Sequence, residues 1–492
     1  MTARAPFALT AAYVLVVWTL AAFGRDMLFN HNVDADLADD SVGAVLPYLR
    51  VAACAFAALA VAGASGFGWA LARLPLSLAP FCLWTLTSAL WSDAPKDTLR
   101  GSLTLLAAWA AVPILLHRLG AARSARWLLH VIAGVCVASC LVALLLPALG
   151  RHGAGDLVQG VHAGLWRGLF SHKNGLGPWA AYGVALLPFS GALGVRGPVR
   201  WAGGVAALAC LIFSGSATAV ALAGAGMGLR ALFALRRRWP GGLALAALAT
   251  PFLAVAAGAG AQTGLAALGR SSSLSGRADI WSLAWGYVAQ RPWLGYGYAT
   301  LGGADFRARE ASLFAQAIPG PESGYLALLL ETGIVGCALL GAAYALALVK
   351  GFAWTKRAAA PDALAVELHL VLLLSTLVEA ITESNAFIVT GVDGVIFFTA
   401  LFALATAPWP SRLGRRALGR QRPQHDQRER SGPLRGRDRT ERESVAAGAA
   451  REIGDDERGQ HAQHPGADAV QQRDEQKPEG IVEHGIERRA RR

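Results

Sequence analysis

"GLWRGLFSHKNGLGPWAAYG", residues 164–183, decides how this chain is read. It gathers Arg167, His172, Lys173 and Asn174 into eight residues, directly ahead of an apolar run. The rest of the chain is oily: of 492 residues, 54% are apolar and 16% charged, and the mean hydropathy is +0.40. Soluble domains carry about 25% charged residues. Long Ala-, Leu-, Val-, Gly- and Trp-rich runs alternate with short charged loops as far as about residue 410. That alternation is the pattern of an all-α, polytopic integral membrane protein. The cations of 164–183 therefore stand at the mouth of a span, and the remaining loops must tell on which side of the bilayer.

A span needs about 20 apolar residues, fewer if it is broken or buried in protein. About twelve are expected, near 7–24, 44–63, 74–91, 100–117, 127–149, 174–194, 200–213, 217–235, 241–261, 324–348, 363–382 and 388–408. The N-terminal run is read as a retained first helix rather than a signal peptide, because no clear small-residue cleavage site follows it. With Arg4 in the cytoplasm, Arg73, the group Arg118, Arg123 and Arg126, the pair Arg196 and Arg200, the run Arg236 to Arg238, and Lys350, Lys356 and Arg357 all fall inside. The first outer loop, 25–43, holds Asp26, Asp34, Asp36, Asp39 and Asp40, and an even number of spans returns the tail to Arg412, Arg415 and Arg416 inside. The expected organisation is a transmembrane domain over 1–410, with one large extracytoplasmic loop at 262–323, and a cytoplasmic tail over 411–492. The tail is too poor in large apolar groups to offset its ordering entropy and is read as disordered.

The net charge of +12 does not point to nucleic acid, because the basic residues lie in the loops and the tail, where topology requires them. Cys54, Cys82, Cys136, Cys140, Cys210 and Cys337 all lie in apolar stretches without a CxxC pair. They are read as free thiols packed as small hydrophobes.

This topology puts 164–183 at the outer mouth of the sixth span. Other unusual polar groups land at the same level: "FSGSAT" with Ser214, Ser216 and Thr218; Arg270 and Arg277 in the long loop; Glu322; and "EAITESNAF" with Glu379, Glu383, Ser384 and Asn385. Arg167, Lys173, Arg270 and Arg277 oppose the charge bias that sets orientation, and a bound anion is one reason for cations on the translocated side. Each group also has a plain reading. Arg277 pairs with Asp279 or caps a helix, His172 is an interfacial histidine, Ser214, Ser216 and Thr218 let helices pack closely, and Glu379 and Glu383 are solvated at a span end. Five segments converging on one face favour a functional site.

"RGLFSHKNGLG", "SGRADIW…RPWLGYGY", "ESGYLALLLETGIVG" and "LTSALWSDAPKDTLRGSL" together resemble the signature segments of the O-antigen ligase and polysaccharide polymerase (Wzy-like) family, nearest in style to its ExoQ-type exopolysaccharide production proteins. "TESNAF" resembles the late outer turn of that subgroup. The resemblance covers roughly residues 70–405. It implies a GT-C-like membrane glycosyltransferase in the bacterial inner membrane, with its active site facing the periplasm. It implies a polyprenyl-diphosphate-linked oligosaccharide as substrate and no metal or other cofactor. Membrane lipids surround such a protein, and the flippase and chain-length regulator of the pathway are its implied partners. The product is a longer lipid-linked chain (polymerase) or a glycan moved to lipid A core or protein (ligase).

Arg277 and Arg167 match the family's basic positions and are the candidates for diphosphate contact, with Arg270 and Lys173 next. His172 and Asn174 are candidates to orient sugar or phosphate, and Ser216, Tyr325, Glu383 and Asn385 complete the expected substrate-binding set. Family members commonly carry His-Asn before the Tyr-Leu of the tenth span. Here Glu322-Ser323 stands there, followed by Gly324, Tyr325 and Leu326. A glutamate can still accept a hydroxyl proton, which makes Glu322 the candidate base; the plainer reading is a loop carboxylate paired with an arginine.

Two other readings were open. Asp34 and Asp36 have the hard oxygen ligands that suit Mg²⁺ or Mn²⁺, though an acidic solvated loop is the commoner case. A transporter or flippase should show midplane charges and related halves. Arg50 and Glu367 are the few such charges, and no internal repeat is evident. The even spacing of His152, His162 and His172 is not zinc-like, and "GAGMG" (224–228) reads as helix packing.

Overall fold

A computed structural model describes residues 9, 11–14, 16–17, 41–154, 162–236, 274–300, 320–356, 358, 360–389 and 393–406. The chain divides into a unit spanning Met1–Gln421 and a second spanning Arg422–Arg492. The expected tail at 411–492, the span at 241–261, Asp34, Asp36 and Arg270 lie outside the described residues.

Among the described residues all regular structure is helical, apart from an isolated bridge between Arg151 and Trp166. The main helices are α1 (Ser41–Ser65), α2 (Ala79–Thr87), α3 (Pro95–Leu119), α4 (Ala121–Leu145), α5 (Lys173–Ala192), α6 (Gly197–Ser214), α7 (Ala217–Arg236), α8 (Leu274–Gln290), α9 (Gly324–Thr355), α10 (Ala360–Glu379) and α11 (Gly394–Ala405). Seven of these, namely α1, α3, α4, α6, α7, α9 and α10, are long and apolar enough to cross a membrane. The stretch Leu76–Leu90 and α11 are apolar but shorter. The expected spans from 44–63 to 217–235 and from 324–348 to 388–408 each fall on one of these helices. The total of twelve depends on 7–24, described only in part, and on 241–261.

The helix following the opening stretch, α5, is not among the seven, and its surroundings explain why. It packs against α4, α6, α7 and α10, with Trp179, Tyr182 and Phe189 completely buried. A helix enclosed by other helices meets protein rather than lipid, so it tolerates Pro178, Pro188, Ser190 and several glycines without a strongly apolar surface. Beside it, Gly215 closes α6 in a left-handed conformation (φ 58°) and lets α7 start two residues later. The turn "FSGSAT" is therefore a tight hairpin between neighbours of α5.

One long helix is broken on purpose. Gly333 inside α9 has φ 65° and ψ −176°. At the break, the backbone of 291–298 takes up the freed groups. Tyr296 N–H donates to Leu330 O (2.8 Å), Gly297 N–H to Glu331 O (2.9 Å), and Ile334 N–H to Pro292 O (2.8 Å). A β-carbon at 333 would collide with the Trp293 carbonyl, and only glycine adopts this backbone without strain. Gly333→Ala should therefore lower folding stability by about 3 kcal/mol, read as a lower thermal unfolding midpoint of the purified protein. An unchanged midpoint would refute the assigned geometry.

Candidate active site

The residues expected at 322–325 and 379–385 come together at the end of α10. Gly324 N–H donates to Ala380 O (2.8 Å), the Ser323 hydroxyl to the same carbonyl (3.4 Å), and the Tyr325 hydroxyl to Leu377 O (2.7 Å). The Tyr325 ring packs on Phe387 at 5.7 Å. Past its last turn, α10 offers carbonyls that its own chain cannot use, and the approach to α9 occupies them. Glu322 opens this approach with φ 44°, a left-handed backbone rare for a residue with a β-carbon. Glu383 N–H bonds Glu379 O at 3.0 Å, and Asn385 lies in the turn Ser384–Phe387.

Glu379 does not follow the plain reading of a solvated carboxylate. It is completely buried and accepts a short hydrogen bond from the Tyr182 hydroxyl of α5, which also lies 3.2 Å from Thr376 Oγ1. Asp393, ahead of α11, hydrogen-bonds Glu379 as well. A carboxylate removed from water needs such partners. Tyr182 and Asp393 went unnoticed in the sequence, although a tyrosine and an aspartate flanked by apolar residues in or beside spans are themselves a signal.

Ser216 and Thr218 stand beside the same end. The Thr218 and Thr382 hydroxyls are 2.9 Å apart. Ser216 Oγ accepts Ala219 N–H at 3.4 Å, an N-terminal cap for α7. A β-carbon on Gly177 would sit 3.0 Å from that of Ser216, so close packing of α5 on α7 is also served.

The cations of the opening stretch lie higher on α5. Between positions 172 and 182 a helix rises roughly 15 Å, which sets His172 and Lys173 well beyond the Tyr182–Glu379 level. His172 is extended (φ −134°, ψ 150°) and caps α5, its Nδ1 accepting Asn174 N–H at 3.1 Å. His152 Nε2 accepts Lys173 N–H at 3.1 Å. The His162 ring completes a trio, with centroids 5.2–5.8 Å apart. Among the described residues no group of His, Cys, Asp and Glu has the arrangement to hold a metal ion. Arg167 is buried, 4% exposed. Its Nε donates to Leu149 O (2.9 Å) and its Nη2 to Ala148 O (3.4 Å), so part of its guanidinium anchors the loop to the end of the preceding helical turn.

The other flank is an open groove of about 260 Å³ between Trp281 and Trp285 of α8, Tyr325, Leu326 and Leu329 of α9, and Ile381. Position 277 lies in the first turn of α8, one turn ahead of Trp281. The expected long loop is thus helical over this part.

"WSDAP" and "RPWLGYGY" form the support behind these parts. Trp91 Nε1–H donates to Leu294 O (3.1 Å), and the Arg291 guanidinium reaches Asp93 (2.9 Å) and covers the Tyr296 ring at 4.6 Å. Tyr298 N–H donates to Ser88 Oγ (3.2 Å). The Tyr298 hydroxyl donates to Phe387 O (3.3 Å) and accepts Val389 N–H (3.1 Å). Segments more than 200 residues apart thereby brace one another and the turn after α10. Arg291 and Tyr298 were not expected as site-forming residues. Buried Glu331 lies in the same region. The transporter candidates Arg50 and Glu367 are both buried as well.

Residues 202–341, which run from α6 into α9, match a family model described as O-Antigen ligase. The chain is also 29% identical over 282 residues to the exopolysaccharide production protein ExoQ of Rhizobium meliloti (strain 1021), a match covering 53% of this chain and 61% of that protein. The chain thus matches about three fifths of the length of this curated relative. The resemblance to O-antigen ligase and ExoQ-type proteins holds over these stretches.

Proposed function

We propose that this protein is a multi-pass membrane glycosyltransferase of GT-C type in bacterial polysaccharide assembly, and that it polymerises polyprenyl-diphosphate-linked repeat units at the outer face of the inner membrane. One observation carries the reading. Resemblance segments far apart in sequence are tied together beside the end of α10: Tyr298 of "RPWLGYGY" bonds Ser88 and Phe387, and the turn after Glu322 rests on the last carbonyls of α10. In the proposed reaction an acceptor hydroxyl attacks the anomeric carbon of the lipid-linked sugar. The new C–O bond forms as the bond to the diphosphate breaks, and the bonding pair leaves with the phosphate oxygen. Glu322 takes the hydroxyl proton. Arg277, with Arg270 and Lys173, meets the charge gathering on the leaving diphosphate. Arg167 holds the loop carrying His172 and Asn174 and lends its charge to the same field.

Polymerase is preferred to ligase because the curated relative is named for exopolysaccharide production. The test is reconstitution of the full chain in liposomes with one defined polyprenyl-diphosphate oligosaccharide. Ladders of longer lipid-linked products are expected. Transfer only after lipid A core is added would make it a ligase, and no transfer to either acceptor would overturn the glycosyltransferase reading.

A further inference from the structure

The start of α5 is capped in an unusual way. Two successive backbone N–H groups, those of Lys173 and Asn174, are each taken by an imidazole nitrogen, His152 Nε2 and His172 Nδ1. A nitrogen that accepts an N–H carries no proton of its own. The two contacts therefore settle both tautomers: His152 holds its proton on Nδ1 and His172 on Nε2. In each ring, the atom that a further proton must enter is the atom doing the capping.

We infer that His152 and His172 form an acid-labile cap, which holds the first turn of α5 closed while both rings are neutral and releases it when either is protonated. An imidazolium has no acceptor nitrogen left, so charging removes a cap and sets N–H against N–H. Its charge would also face the positive end of the α5 dipole. The titratable and charged groups acting on His172 are His152, His162, Lys173 and Arg167, from the loop and from α5 itself. All are cationic or become so on protonation. Burial first, then these neighbours, push the His172 imidazole down to about 3. The third ring, His162, packs within 5.8 Å of both caps, so charging one ring makes charging the next harder while the turn stays closed.

The sign follows from this depression. A histidine whose folded value lies below its ordinary value of about 6.5 contributes stability that is complete above that pH. The contribution drains away as the pH falls toward 3. For His172 alone, opening of the cap should become roughly thirtyfold more favourable between pH 7.5 and pH 5. This inference rests on the local geometry of 151–154 and 162–174 and not on the diphosphate reading, and its test uses no substrate, so either can fail without the other.

The test is hydrogen exchange of the full chain in lipid nanodiscs at pH 7.5 and pH 5, corrected for the intrinsic pH dependence of exchange. Amides in the first turn of α5 should lose protection about thirtyfold on acidification. A His152→Gln/His172→Asn variant, whose caps do not titrate, should show no such loss. Equal pH dependence in the two proteins would overturn the inference. Should that variant fail to fold, ¹⁵N-histidine spectra of the wild type decide the matter. One ring protonated at Nδ1 only and another at Nε2 only, persisting at pH 7.5, is expected; an imidazolium signature from His152 or His172 at that pH would refute the cap.

Discussion

On the proposed mechanism, Glu322→Gln should leave a folded protein whose polymer yield from a defined polyprenyl-diphosphate oligosaccharide falls by about 10²–10⁴-fold, the range associated with losing a positioned general base. Glutamine keeps the size and hydrogen-bonding reach of the side chain but cannot take a hydroxyl proton. The backbone supplies a sharper companion experiment. Glu322 has φ 44°, and left-handed backbone costs a residue with a β-carbon roughly 1–2 kcal/mol. Glycine adopts it freely. Glu322→Gly should therefore raise the thermal unfolding midpoint, or at least not lower it, while activity falls as far as in the glutamine variant. A glycine variant that is at least as stable and yet inactive would show that the carboxylate, and not the backbone, is what position 322 supplies. Were the glycine variant to polymerise normally, the carboxylate would be a loop residue and nothing more.

The fold was largely legible, and what escaped is instructive. Hydropathy located the helices because lipid-facing surfaces must be apolar whatever else they do. It is silent about helices that face protein, and α5 shows this: it lies at the centre of the bundle, yet its own composition does not mark it as membrane-crossing. The reading of 174–194 as a span rested on its apolar run together with the cations at its mouth, and the run alone falls short of a strongly apolar crossing helix. The break at Gly333 was invisible, because "ETGIVG" continues an apolar run and only tertiary contact with Pro292, Trp293 and Tyr296 makes a kink there favourable.

The candidate site divides the same way. That Ser216, Thr218, Tyr325 and Glu383 would lie near one end of the bundle followed from counting spans. That Arg167 would turn two donors toward Leu149 and Ala148 did not follow, because sequence gives the charge of a guanidinium but not the carbonyls within its reach. Nor could spacing show that His152 and His172 act as caps. Twenty residues separate them, and the hairpin that unites them depends on Trp166 stacking against Phe213 at 4.7 Å and on the Arg151–Trp166 bridge.

Arg277→Ala should reduce the rate of glycan transfer by about 10²–10³-fold, the loss seen when one fixed donor to a developing oxyanion is removed. The direction of the kinetic split is part of the prediction. The diphosphate is already anionic in the bound substrate, so some of the arginine's interaction is made in the ground state and will appear in KM. The additional charge reaches the bridging oxygen only as the glycosidic bond breaks, and that share appears in kcat. Arg277→Lys keeps the charge and loses the planar fork that grips two phosphate oxygens, and it should fall between wild type and alanine. Inorganic pyrophosphate should compete with the lipid-linked donor in the wild type and far less in Arg277→Ala. If the alanine variant instead keeps its kcat and its sensitivity to pyrophosphate, position 277 serves the helix that carries Trp281 and Trp285. The anion must then be sought at Lys173 and the loop that Arg167 holds, where two backbone donors are already engaged by imidazoles and an incoming phosphate would have to displace them.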